Sequence, residues 1–378
     1  MKKRALSLLM ALVMAISLLP ATARAADSTL NGDISVGTAV DLAALGGQDI
    51  VGNITLTADI DMSNTEMTPI KSLKGCFNGD GKTISSLTLK GGNGSSNWQG
   101  TNYVNTGLIG ELNGSVINLK VTNVSITDVG SVNAVGALVG MIADNSTSKI
   151  ENCTVSGTIT CEKGDSRTMI GALVGMMSGS VGAPTTLTIH NCVANVALTG
   201  ADKTYAGGLL GSAQYNSTLS ITKCAQLADF GTNKGYGAGV VGYVTGGNSV
   251  EIADSYLAGT VNASSYPGVI AYSGKHGNAT ISLSGDFYYN EANSYELFQK
   301  ASGYSGTVAN SDKAQKKSTA DLKALELDGF EVRKGEFDGY PVPKWTPAAA
   351  PEPISPPTPA FSCALTFTGA EGGDLTLK

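Results

Sequence analysis

The chain has 378 residues, of which 15% are charged and 6% aromatic, with 25 basic residues, 31 acidic residues and 48 glycines. No basic patch able to neutralise phosphates is visible, which excludes an electrostatic nucleic-acid binder. Few charges and abundant Gly, Ser, Thr and Asn describe a turn-rich β-protein with an uncharged polar surface, not a helical one.

The first 25 residues read as an export signal. Lys2, Lys3 and Arg4 form a basic start, Ala5 to Leu19 is mostly apolar, and Ala23-Arg24-Ala25 offers an A-x-A cleavage site. The apolar run is too short for a membrane span, and no later stretch is long and apolar enough to be one. The signal holds four of the basic residues, which leaves 21 basic against 31 acidic in the mature chain. Six cysteines follow it: Cys76, Cys153, Cys161, Cys192, Cys224 and Cys363. There is no CxxC and hence no zinc or redox motif; no cofactor or metal is expected.

Residues 26–100 read as an N-terminal cap and opening coils. Thr38 to Leu45 has a brief helical pattern, with Leu42 and Leu45 as packing residues and Gly46-Gly47 as the stop. It is expected to cover the first coil, since an open solenoid end exposes strand edges. Asp59-x-Asp61-x-Ser63 resembles half of a calcium loop, but Asn64 and Ile70 stand where an EF-hand needs Gly and Glu, so these acids read as solvated. Asn78-Gly-Asp-Gly81 reads as a tight turn.

Residues 101–290 are repetitive. A Gly-x-apolar-apolar-Gly element recurs as Thr106–Gly110, Gly136–Gly140, Gly171–Gly175, Gly207–Gly211 and Ala238–Gly242, with a decayed copy at Pro267–Ala271. The spacings of the closing positions are 30, 35, 36, 31 and 29 residues, which is solenoid range. A second element follows each first one: Val116–Val121, Ile150–Val155, Ile189–Ala194, Ile221–Gln226 and Ile252–Leu257. Stacking like on like lets short strands bury a shared face. The expected architecture is therefore all-β: a right-handed parallel β-helix with three sheets and short capping helices, about three β-rich runs per repeat, roughly 40 Å long at about 4.8 Å per coil.

Stacking also assigns columns. Asn118, Asn152 and Asn191 share a corner position, continued by Lys223 and Asp254, because Asn tolerates a left-handed backbone. Cys153, Cys192 and Cys224 form the neighbouring column, read as an interior ladder of free thiols: parallel neighbours point the same way, which strains a disulfide. Nine of the thirteen tyrosines lie between Tyr236 and Tyr304. Tyr243 and Tyr272 follow the first element in successive repeats, where Met141 and Met176 stand earlier. Together with Tyr256 and Tyr266 they are the candidate binding residues. Two readings stay open at this point, a stacked outward platform for carbohydrate or ordinary core packing.

No catalytic residue is singled out. His190 and His276 are the only histidines, and neither lies in a recurring acid–base pair of the kind glycan hydrolysis needs. Residues 291–346 read as a C-terminal capping segment, with Ser318 to Leu327 helical and Leu322, Leu325 and Leu327 across the last coils. Residues 347–360 are a Pro-rich semi-rigid linker. Residues 361–378 read as the start of a further domain or a disordered tail.

The Gly-Leu-Ile-Gly and Gly-Ala-Leu-Val-Gly elements, in register with Ile-x-Asn-Cys elements over residues 100–290, resemble the GLUG-motif repeats of exported bacterial proteins. Leu56–Met62 with Phe77–Ser85, and Asp338–Trp345, resemble the usual start and end of such solenoids. The resemblance implies an adhesin-like surface protein or part of a larger surface peptidase, and it transfers no catalytic residue. The expected function is a secreted, non-enzymatic, monomeric module that adheres or spaces, contacting host or environmental glycans or matrix proteins. The alternative is a polysaccharide-acting β-helix enzyme or the accessory region of a larger hydrolase.

Overall fold

The computed structural model describes residues 29–90, 95–98, 101–127, 133–162, 168–180, 182–231, 233–273, 279–300 and 306–350. Residues 1–28 with the expected export signal, His276, and residues 351–378, which hold Cys363 and most of the expected Pro-rich linker and tail, lie outside them. The chain is a parallel β-helix, as expected. Each strand pairs in parallel with its copy one coil on, as in Ile150 with Ile189 and Ile189 with Ile221. The corners are hydrogen-bonded too, so the ladders run together into an 18-stranded sheet and a second sheet that closes on itself.

The repeat elements are corners, not strand centres. One repeat runs through strands Asn133–Gly136, Val139–Ile142, Thr147–Glu151 and Thr154–Cys161. Ala137 and Leu138 form the tip between the first two, and Asn152 and Cys153 lie between the last two. Four short strands therefore replace the three runs expected. Apolar character marked the positions where the chain turns inward as strongly as it marked the strands.

At the first corner the tip points into the core. Leu108, Leu138, Leu173, Leu209, Val240 and Ile270 are all buried in one continuous cluster. Glycine is needed because the flanking strands approach backbone to backbone. A Cβ on Gly175 would lie 2.2 Å from the Val135 nitrogen and 2.6 Å from the Ala134 carbonyl carbon.

At the second corner Asn118, Asn152 and Asn191 have φ of 55°, 57° and 57°, and Lys223 and Asp254 continue at 52° and 47°. Here a side-chain amide makes the left-handed turn useful as well as tolerable. Asn191 Nδ2 donates to Asn152 Oδ1 (3.0 Å), Asn152 Nδ2 to Asn118 Oδ1 (2.9 Å) and Asn118 Nδ2 to Asn78 Oδ1 (3.3 Å). The second hydrogen of each amide goes elsewhere: Asn191 to the Lys344 carbonyl, Asn152 to Thr346 and Asn118 to Ala348, at 2.9, 2.9 and 3.0 Å. Residues 344–348 thus run back along the rod as a strap, one rung for every second residue. Trp345 beside Lys120 (5.5 Å from ammonium to ring centre) fixes its side-chain register.

Behind the asparagines, Cys153, Cys192 and Cys224 are buried free thiols, as are Cys76 and Cys161. The Cys153 and Cys192 sulfurs donate back to the Glu151 and His190 carbonyls at 3.3 and 3.1 Å. Burial pushes the Cys192 and Cys224 thiols well above their ordinary range.

Both expected helices form, shorter than their patterns. Helix α1 spans Ala39–Ala43 with Thr38 as N-cap, and Leu42 and Leu45 are buried in the main core. Helix α2 spans Thr319–Lys323 with Ser318 as N-cap. It lies across the later coils, as expected, against strands Phe287–Asn290 and Ala314–Lys317, with Leu325 and Leu327 on the same cluster as Leu322. Leu322 packs on the flank with Val193, Ala225, Tyr256 and Val342, because those coils present an apolar outer face there that needs a cover.

Candidate functional site

The inward tip of the glycine corner leaves a re-entrant elbow on the outside of the rod. Its two walls are the residue two before the opening glycine and the residue just after the closing one. In the earlier coils these are Ala134 with Met141 and Met169 with Met176, all buried in a cluster of their own with Tyr103. In the later coils they become Tyr205 with Ser212 and Tyr236 with Tyr243, followed by Tyr266 and Tyr272.

The five tyrosines stack on one another. Tyr205 and Tyr236 are paired neighbours with centroids 4.8 Å apart and rings 14° from parallel. Tyr272 is the centre, 5.1 Å from Tyr236, 5.4 Å from Tyr266 and 5.9 Å from Tyr243. Tyr205 and Tyr243 bridge the elbow at 4.5 Å. Exposure grades along the group: Tyr272 is 5% exposed, Tyr205, Tyr236 and Tyr243 are half-buried, and Tyr266 is 45% exposed. Tyr266 sits at φ 47°, beside a register shift that turns it outward. Burial, then the neighbouring phenols, push the Tyr205 hydroxyl far above its ordinary value, so the group stays uncharged.

Neither of the two open readings describes this group alone. The ring faces are mostly spent on each other, which is packing. The exposed part of Tyr266 is what the group turns to the outside. Of the candidate residues, Tyr243, Tyr266 and Tyr272 come together. Tyr256 does not: it is 2% exposed, packs under α2, and its hydroxyl donates to the Pro341 carbonyl at 2.5 Å. Its strand lies beyond the asparagine corner, on the flank the C-terminal segment covers. On the wall before the opening glycine, Tyr266 alone is a candidate from the sequence; Tyr205 and Tyr236 hold the same place in earlier coils. The fixed offset before the opening glycine was the signal that could have found them.

The other motifs serve the fold. Asp61 accepts from the Ser63 amide and hydroxyl (both 3.0 Å), and the Asp59 carboxylate accepts from the Thr83 amide (2.7 Å). Hydrogen bonds from Ser63 hold the Asp61 carboxyl below its usual value. In the 78–81 turn the Asp80 amide donates to Asn78 Oδ1 (2.9 Å) with Asp80 and Gly81 left-handed. His190 stands half-buried on an outer face between Glu151 and Thr222 of the adjoining coils. Among the described residues no three His, Cys, Asp or Glu side chains gather as a metal site, and no helix is long and apolar enough to cross a membrane.

The fold defines the class, a parallel β-solenoid with an aromatic external elbow. No protein-family model matches the chain and no curated protein matches it. Among solved structures, it is similar to a "putative immunoglobulin A1 protease" from Bacteroides ovatus, with a TM-score of 0.55 and 16% identity over 82% of this chain and 92% of that one. At that identity the likeness is one of fold.

Proposed function

We propose that this protein is an exported, non-enzymatic β-solenoid of the bacterial surface, of the GLUG-repeat kind, that adheres through the tyrosine elbow to glycans or matrix proteins. The observation that carries this reading is the uncharged aromatic group itself. Five stacked phenols are held on the outside of a rigid scaffold, and Tyr266 is nearly half exposed. The exposed phenol of Tyr266 offers apolar contact and a neutral polar tip together, the mixture suited to uncharged polymers. A stacked group also has little rotamer entropy left to lose on binding.

The test is an array of glycans and matrix proteins probed with the purified mature chain. Saturable binding is expected, falling by roughly tenfold in Tyr266→Ala and Tyr243→Ala, about the loss of one aromatic contact. Binding to nothing by a folded sample, or binding indifferent to both changes, overturns it. Export is tested by the mass of the protein recovered outside the cell, which should begin at Ala26.

The likeness to a structure named as an immunoglobulin A1 protease favours a second reading, the accessory region of a larger surface hydrolase. Binding of immunoglobulin A1 by the purified chain, in place of glycans and matrix proteins, would support that reading against the first.

A further inference from the structure

A second concave surface lies away from the elbow, where the C-terminal segment crosses the sheet that follows the asparagine corner. It is a cleft of about 560 Å³, within the usual range for a small-molecule site. Successive coils supply its floor, including Asn195, Asp229 and Thr260, and the Phe337–Tyr340 turn supplies a wall. The geometry points to a binding site for one neutral sugar unit in this cleft.

Three observations carry the inference. First, the wall is built at a conformational cost. Phe337 and Asp338 are both left-handed, at φ 49° and 51°, before Gly339 at 79°. A bulky side chain is disfavoured in that region, and such outliers cluster where a side chain is needed for a ligand. Glycine would hold the same backbone more easily, yet these two positions place on the cleft a carboxylate and an aromatic ring, which also packs on the cluster under α2.

Second, both carboxylates are half used. Asp229 Oδ1 accepts from the Thr260 amide (2.7 Å) and hydroxyl (2.8 Å), and Asp338 Oδ2 accepts from Lys323 Nζ (2.7 Å). Each carboxylate is fixed by one oxygen and keeps acceptor capacity on the other for a hydroxyl donor.

Third, the charges select against ions. Two carboxylates repel an anion. The cation position is already held by Lys323, which pairs with Asp338 and lies 5.0 Å from the Tyr340 ring centre. A neutral polyol, donating hydroxyls to the carboxylates and laying its C–H face beside Phe337, suits what remains.

Saturation-transfer NMR on the full chain tests this. The neutral probes are methyl β-glucopyranoside, methyl β-galactopyranoside and N-acetylglucosamine, with N-acetylneuraminic acid as the anionic control. At least one neutral sugar should receive saturation and the acid should not. Phe337→Gly should weaken the transfer by roughly tenfold, with any fall in its unfolding midpoint read separately, because the ring also packs on the Leu322 cluster. Asp229→Asn, which keeps the acceptor for Thr260, should weaken it with the fold intact. The inference fails if no neutral probe is saturated, or if both variants bind as the parent does. It also fails if binding is lost in Tyr243→Ala while these two variants keep it; that result places the sugar on the elbow.

Discussion

The two corners of each coil turn the chain through the same rod by different physics. The glycine corner works by what is missing: no Cβ stands between strands that touch backbone to backbone, and the tip folds inward. The asparagine corner works by what is present: each amide donates one hydrogen to its copy in the preceding coil and the other to the strap. The steric corner leaves an external elbow that aromatic residues fill. The hydrogen-bonded corner leaves a polar track that the chain's own C-terminal segment occupies. A solenoid can thus hold its core constant and carry two unlike surfaces on its edges.

The largest way to break this comparison is Gly175→Ala. Its Cβ would meet fixed backbone atoms that cannot move aside. Urea unfolding should show a loss of about 3 kcal/mol, the upper end for overpacking, or no folded protein. Asn152 comes next, and two substitutions separate its roles. Asn152→Ala should cost about 2–3 kcal/mol by adding a left-handed penalty to the lost rungs. Asn152→Gly should cost about 1 kcal/mol less, since only the rungs are lost. Equal costs for the two would show that the amide ladder alone matters.

The interior sharpens the comparison through pH. Burial raises the thiols of Cys192 and Cys224 above the ordinary 9.0 and the phenols of Tyr205 and Tyr256 above the ordinary 10.0. The folded chain keeps protons that the unfolded chain releases, so stability is full below those ordinary values and falls as pH rises through them. The melting temperature should therefore decline from about pH 9 upward. Native Cys153, Cys192 and Cys224 should also resist thiol reagents until denaturant is added; prompt labelling would contradict the buried ladder. The smallest effect belongs to the strap. Trp345→Ala removes one ring–ammonium contact, worth about 0.5–1 kcal/mol at such a site. Hydrogen exchange should quicken around residues 344–350 and stay unchanged in the coils.

Much of the fold was legible because a solenoid is nearly one-dimensional. A coil touches its neighbours, so a period of about thirty residues already states which residues stack. The asparagine corner and the buried thiols follow from position within the repeat. What period alone misjudged was curvature. An apolar run reads the same whether it lies along a strand or dips inward as a tip, and the external elbow follows only from the dip. The two walls of the elbow are separated by that tip, so the tyrosine group is only partly visible in the sequence: Tyr243, Tyr266 and Tyr272 are, and Tyr205 and Tyr236 are not. Tyr256 was misplaced for a related reason. A tyrosine on an outer face reads as exposed unless something covers it, and here the cover comes from α2 and residues 341–343, far along the chain.

By itself, then, the sequence determined the stacking: the repeat, the parallel pairing, the corner residues and the free-thiol column, all of which need only neighbours one coil away. The tertiary structure alone decided what happens across the coil and along the rod. It set which outward residues meet over a re-entrant corner, and which segment returns to lie on the asparagine track. It also opened the cleft between that returning body and the sheet. Those contacts join residues by distance in space, over separations that no local period records.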